Sequence, residues 1–364
     1  MRSSRSLHWI RRIGVIVVAF VAVELMARLV GWPEFPPDPT FPEAPEWSHP
    51  RYIAKDAQLF WRYRPDQTIS GGYFATGRYH INRYGFRGPD FSITPSDDRQ
   101  RVVCLGGSTT FGLGVADGRE YPRHIERRLN RLDPDNRLWD VVNLGVTNYS
   151  TVQGLRLAED WIPRLQPDVI VLNFSWGDHQ RAHNQVADGD REMPAPWWLA
   201  VENTAMTSAA AQWVRRLYLA LNPPPPPDTN TFTPVWRVGL TEFNANIERL
   251  ALVAKAEGAR CLVMSSPISW PPEGMSDTAG IFHYHHRYHR IARYAAVASG
   301  IEYCEVLNYF NLHPEFFEVP PTQFELFDAD GHAFAGDLVA RCILGLPIDS
   351  ARVFKGREHL MNPR

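Results

Sequence analysis

Five short apolar runs fix the architecture open to this chain. They are Val102–Leu105, Trp139–Gly145, Asp168–Phe174, Arg260–Ser266 and Ile301–Leu307. Between them apolar residues recur three and four apart, the spacing of a buried helical stripe. Tyr121, Ile125, Leu129 and Leu132 make one series, with Pro122 near its start. Ser150 can cap a second, carrying Val152, Leu155, Ala158 and Ile162. Thr241 opens a third, with Phe243, Ile247 and Leu250, which Gly258 stops. A fourth covers about 282–299, and a closing helix runs from Gly336 to Leu344. Strands that alternate with helices run parallel and are covered on both faces. The expectation is a three-layer α/β/α domain around a flavodoxin-like, five-stranded parallel sheet, with ligands bound at the carboxyl ends of the strands. With 44% hydrophobic residues among 364, the chain can bury such a core.

The N-terminus carries a different signal. Arg2, Arg5, Arg11 and Arg12 precede an apolar run from Ile13 to Trp32, in which Glu24 and Arg28 stand one helical turn apart and can pair. At a rise of about 1.5 Å per residue the run spans about 30 Å, the thickness of a hydrocarbon core. The basic flank predicts a cytoplasmic N-terminus, with everything after the span outside. No small-residue cleavage site follows, so the span is expected to stay as an anchor. The expected organisation is a basic flank and transmembrane helix over 1–32 and a Pro-rich linker over 33–50. An extension of short strands over 51–100 packs on the catalytic domain, which covers 101–350. A tail covers 351–364. Arg181–Trp236 interrupts the alternation with Trp197, Trp198 and the prolines 223–227, and reads as a cap over the site. The net charge of −2 gives no basic face for a nucleic acid. Cys104, Cys261, Cys304 and Cys342 form no metal-binding spacing. The first three read as buried small apolar residues, with a disulfide open to a domain outside the cytoplasm.

The first strand runs into VVCLGGSTTFGLGV, Val102–Val115. A phosphate-binding loop would need a lysine where Leu113 stands, and a G-x-S-x-G nucleophile elbow would need a glycine where Thr110 stands. What remains is Ser108, exposed by two glycines at the end of a strand. A serine nucleophile needs a base, and the base an orienting acid. Near the C-terminus, FDADGH supplies His332, with Asp330 two residues before it and Asp328 four before. On an extended loop the D-x-H spacing favours Asp330.

These blocks resemble those of the SGNH/GDSL hydrolases: GGST after the first strand, NLGVTNYS after the second, NFSWGDH after the third and DADGH before the last helix. With HINRYGFRG and the N-terminal apolar run, the chain is similar to the membrane-anchored branch of that superfamily. The resemblance implies Ser108 as nucleophile and first oxyanion donor, Gly145 as a second backbone donor, His332 as base and Asp330 as its orienter. Two blocks depart from the pattern. The family's acid and base are spaced D-x-x-H. Its third block is G-x-N-D, and here Ser175 stands at the Gly and Gly177 at the Asn. The Gly177 N–H, the Ser175 hydroxyl, His179 and a residue of the cap are the candidate replacements for the lost donor, and Gly177→Asn is expected to restore it.

Trp176, Asp178, His179 and Arg237 are candidate substrate contacts, Trp176 and Arg237 also reading as ordinary core and surface residues. His283, His285, His286 and His289 have zinc-like spacing but no third ligand, and read as a polar helix face. No cofactor is implied. The expected function is that of a membrane-anchored serine esterase, an acyl-ester hydrolase or transferase acting outside the cytoplasm on an acylated small molecule or glycan. The alternatives are an SGNH-like protein with impaired catalysis that binds an acylated ligand, and an envelope scaffold.

Overall fold

The structure is a computed structural model and describes residues 3–32, 51–71, 74–182, 185–223, 235–269, 281–311, 313–317 and 326–348. The linker over 33–50, the proline run from 224 and the tail from 349 lie outside the described residues. Helix α1 (Ser3–Val30) comes first, followed by two antiparallel hairpins, β1 (Ile53–Asp56) with β2 (Phe60–Tyr63) and β3 (Gln67–Gly71) with β4 (Phe74–Ile81). The alternating part is β5 (Arg99–Gly106), α2 (Ser108–Phe111), α3 (Tyr121–Leu132), β6 (Leu138–Asn143), α4 (Thr151–Leu165) and β7 (Val169–Asn173). The insertion folds as α5 (Pro196–Ala205) and α6 (Ala209–Leu221). The alternation then resumes with α7 (Leu240–Ala256), β8 (Arg260–Met264), α8 (Ile281–Ser299), β9 (Glu302–Cys304), α9 (Leu307–Phe310) and α10 (Ala329–Leu344).

The main sheet has the order β6-β5-β7-β8-β9, and every pair is parallel. This is the flavodoxin-like order, with β5 at the switch between the two winding directions. Alternate side chains serve the two faces. Val103, Leu105, Ile170 and Leu172 pack under α4, α7 and α8, whereas Val102, Cys104, Val171 and Met264 pack under α3 and α10. The two hairpins join the first of these layers through Phe60, Trp61, Tyr63 and Tyr79.

Helix α1 contains a stretch, Arg11–Val30, of mean hydropathy 2.4 with none of it buried, long and apolar enough to cross a membrane. Cys104 and Cys261 are buried thiols, as expected, but Cys304 is disulfide-bonded to Cys342 of α10. The pairing corrects the reading of Cys304 as a free apolar residue. It joins β9 to the last helix across 38 residues of sequence.

Candidate active site

Ser108 opens α2 just after β5, so a strand paired on both sides sets its position. Arg87 holds α2 from behind. Fully buried after β4, it donates to the carbonyls of Phe111 (3.1 Å), Gly112 and Val115 (2.6 Å), at and just beyond the C-terminal end of this short helix. Ser108 is 8% exposed and opens on a narrow cleft lined by Asn148, Asn173, Ser175, Trp176, Gly177 and Ser266. The backbone N–H of Asn148 donates to Ser108 Oγ at 3.1 Å. Asn148 has φ 61, a left-handed conformation that Asn tolerates better than most residues.

That N–H is the feature the sequence reading missed. The expected second donor, Gly145, gives its N–H to Asn143 Oδ1 at 2.9 Å. It is a glycine for another reason: a Cβ there would run into the backbone of Thr110 and Phe111. The donor that faces Ser108 lies three residues on, in the same loop. The legible signal was an Asn in the turn between a strand and a Ser150-capped helix.

Arg237 is buried and does not reach the cleft as a substrate clamp. Its Nη2 forms an ion pair with buried Asp188 (2.8 Å) and also donates to Gln153 Oε1 (2.9 Å), while Nη1 donates to Asn148 O (2.8 Å). It therefore pins the loop whose N–H meets Ser108. Trp61 Nε1–H donates to Thr147 O (3.3 Å), and the Tyr63 hydroxyl pairs with Thr147 Oγ1 (2.7 Å), so the first hairpin braces the same loop.

The third block takes a tight turn. Ser175 has φ 146, a region essentially reserved for glycine. Its Oγ is buried with no hydrogen-bond partner among the described residues. Gly177 lines the cleft, but a Cβ there would lie 2.9 Å from the Tyr149 carbonyl carbon and closer still to its oxygen. The expectation that Gly177→Asn restores a donor is therefore overturned: the side chain has no room without moving the loop that carries Asn148. Trp176 both lines the cleft and packs on Ile268 and Leu307, so its two readings merge.

Asp178 and His179 do not line the cleft. Asp178 is buried and accepts from Thr151 N–H (2.7 Å) and its hydroxyl (2.5 Å), and burial pushes its carboxyl up to about 7. His179 Nε2 lies 3.0 Å from His285 Nδ1, and His285 Nε2 lies 2.7 Å from Ser266 O. A carbonyl only accepts, so His285 carries its proton on Nε2 and accepts at Nδ1 from His179. Burial lowers both imidazoles, His179 to about 4. His285 is thus a packed core residue rather than part of a polar face, and among the described residues no cluster of three metal-ligating side chains exists.

The DADGH block departs most from expectation. It forms the first turn of α10, not a loop: Asp328 is the N-cap and accepts Gly331 N–H at 2.7 Å. Positions two apart on a helix point to different sides. Asp330 is accordingly exposed while His332 is fully buried, and no hydrogen bond joins them. His332 Nδ1 instead accepts the N–H of Tyr121 at 3.1 Å, and its Nε2 has no partner among the described residues. An Nδ1 that accepts leaves the proton of the neutral ring on Nε2, the reverse of the tautomer a serine base requires. Burial, then Arg87 and His124, hold this imidazole well below its ordinary range, so it is neutral. No hydrogen bond links it to Ser108, and it does not line the cleft.

The comparisons with known proteins agree with the blocks. The model of the GDSL-like lipase/acylhydrolase family matches residues 104–333, from β5 into α10. No curated protein matches the chain. Among solved structures, a lipase/acylhydrolase from Enterococcus faecalis is similar at 16% identity, covering 68% of this chain and 96% of its own, with a TM-score of 0.44. A variant of the acetyl xylan esterase Axe2 from Geobacillus stearothermophilus has 14% identity, 71% and 99% coverage and a TM-score of 0.44. The esterase EstA from Pseudoalteromonas sp. has 8% identity, 67% and 96% coverage and a TM-score of 0.41. A family model that spans all four blocks in order, on a parallel sheet that presents a serine at the end of its interior strand β5, makes this chain a member of the GDSL-like lipase/acylhydrolase family.

Proposed function

We propose that the chain is a membrane-anchored acyl-ester hydrolase or acyltransferase of SGNH type, with its catalytic domain outside the cytoplasm and Ser108 as nucleophile. The observation that carries this reading is the Asn148 N–H held 3.1 Å from Ser108 Oγ in a cleft at the carboxyl edge of β5. As the hydroxyl adds to an acyl carbonyl, the carbonyl oxygen becomes an oxyanion. In this reading the N–H groups of Ser108 and Asn148 stabilise it. The unpaired Ser175 hydroxyl is the third donor in this reading, in place of the Asn side chain that Gly177 lacks.

His332 is the base. It first releases the Tyr121 N–H, then turns an unprotonated ring nitrogen to Ser108 Oγ. The proton passes from Ser108 to the imidazole as the new C–O bond forms, and on to the leaving alkoxide as the old one breaks. Water, or an acceptor hydroxyl, then attacks the acyl-enzyme and regenerates the serine. The narrow cleft walled by Trp176 favours a small acyl group, carried on a small molecule or glycan. The arginines before the apolar run of α1 support an external domain, and so does the Cys304–Cys342 disulfide.

One observation favours a second reading, a relative that binds an acylated ligand without turnover: His332 is in the wrong tautomer and Asp330 is turned away. Turnover of p-nitrophenyl acetate by the full chain in detergent separates the two. The proposal expects parent activity that Ser108→Ala and His332→Ala each abolish. Activity that survives Ser108→Ala overturns it, and a folded parent with no turnover supports the binding reading.

A further inference from the structure

Among the described residues, none of α5 or α6, the two helices of the insertion read as a cap, lines the cleft. Instead α6 is fastened to α1. Glu24, within the apolar stretch of α1, accepts from Ser208 Oγ (2.6 Å), Ala209 N–H (3.1 Å) and Ala210 N–H (3.0 Å) while pairing with Arg28 (2.7 Å). Trp213 Nε1–H donates to Gly31 O (3.0 Å). A carboxylate in a helix made for lipid is costly unless partnered, and the free N–H groups at the start of α6 are such partners. On its outer side α6 carries Val214, Leu217, Tyr218 and Leu221, spaced three, four and seven from the first, which is one continuous stripe. All four are 62–71% exposed. Helix α5 adds Trp197, Trp198 and Val201, each more than half exposed. Exposed Arg216 lies over the Trp213 ring, 5.4 Å from its centroid.

We propose that α5 and α6 lie in the headgroup layer of the bilayer that α1 spans, with these seven apolar and aromatic side chains turned into the lipid. The inference rests on the membrane-anchored reading above. The occupant is lipid rather than a protein because the patch begins on the anchor itself, so the two helices cannot leave the membrane surface once α1 is inserted. Trp and Tyr beside Arg also match the composition of the membrane–water interface. The consequence reaches the site. The other side of α5 grips β1: Asn203 pairs with both the N–H and the carbonyl of Lys55 (2.9 and 2.8 Å), and Glu202 with its ammonium (2.7 Å). The β1–β2 hairpin in turn braces Thr147, beside Asn148. Lipid, α6, α5, hairpin and cleft form one connected series, which sets the height of Ser108 above the bilayer.

The test places an environment-sensitive NBD label on single added cysteines, Val18→Cys, Val201→Cys and Leu217→Cys, in the full chain. The chain is reconstituted in vesicles of three parts phosphatidylcholine to one part phosphatidylglycerol, with and without doxyl-labelled lipid. Asp97→Cys, in the exposed loop before β5, gives the solvent reference. The proposal expects quenching by the labelled lipid at 18, 201 and 217 and none at 97. Quenching at 18 without quenching at 201 and 217 overturns the docking and leaves the span intact. Blue-shifted but unquenched labels at 201 and 217 are what a second copy of the chain would give, and also overturn it. No quenching at 18 overturns the anchor reading, and the docking with it.

Discussion

Replacing Ser175 with glycine should make the protein more stable and the enzyme slower. The residue holds φ 146, and a side chain kept in so sparsely populated a region costs about 1–3 kcal/mol. Its buried hydroxyl has no partner among the described residues, a further penalty of about 1–3 kcal/mol. Against these, the added freedom that glycine gives the unfolded chain costs about 0.4–1 kcal/mol. Even with the favourable terms at their low ends, Ser175→Gly gains about 1 kcal/mol, and Tm rises by about 2–4 °C. Activity should move the other way. If the hydroxyl donates to the oxyanion, its loss costs about 10²–10³ in kcat. KM should change little, because the oxyanion exists only near the transition state. Ser175→Ala separates the two effects: it keeps the strain and loses the donor, so it should be as slow as the glycine variant but less stabilised. Urea unfolding and p-nitrophenyl acetate turnover read both quantities. A Ser175→Gly protein less stable than the parent refutes the strain argument. One that turns over at the parent rate removes the hydroxyl from the oxyanion hole.

Arg237→Met leaves Asp188 as a buried carboxylate without its cation and should destabilise the fold by about 3–5 kcal/mol. Arg237→Met with Asp188→Leu removes both charges and should recover most of that in urea unfolding; a double variant as unstable as the single contradicts the pairing account. Stability should also fall on acidification. Burial holds His332 and His285 well below the ordinary imidazole range, His179 at about 4 and His124 at about 3. Unfolded, these rings take up protons near pH ~6.5, so the unfolded chain binds more protons below that pH and is favoured as pH drops toward 4. Asp178, pushed up to about 7, opposes this, since its folded form keeps a proton that the unfolded chain releases. Four imidazoles outweigh one carboxyl, so the urea midpoint should be lower at pH 5 than at pH 7, and a higher midpoint at pH 5 would contradict the account.

The parallel sheet was legible because the strands carry short apolar runs, mostly buried on both faces and bounded by a helix stripe or a glycine. Ser150 and Pro122 marked helix starts for the same local reason, and Thr151–Leu165 and Tyr121–Leu132 follow them. The candidate cleft was legible from Ser108, because a serine after two glycines at a strand end is a local pattern. Its partners were not, because they are set by packing. Asn148 replaces a more obvious glycine three residues earlier, and only the backbone conformation reveals which N–H faces the serine. Arg237 reads as an ordinary exposed arginine until Asp188, 49 residues away, is brought beneath it. The D-x-H spacing suggested a loop, yet Asp328 is a strong N-cap that draws the next residues into α10 and sends Asp330 and His332 to different sides. The pairing of Cys304 with Cys342 joins two elements whose contact no local pattern announces.

The central claim is that Ser108 is an activated nucleophile, although His332 rests on the Tyr121 N–H. Intact-mass measurement of the full chain in detergent after incubation with a fluorophosphonate tests it most directly, since the reagent phosphonylates only a serine whose proton can be removed. The account predicts a single adduct, mapped by peptide sequencing to Ser108 and absent from Ser108→Ala. A folded parent that forms no adduct, or an adduct that persists in Ser108→Ala, would contradict it.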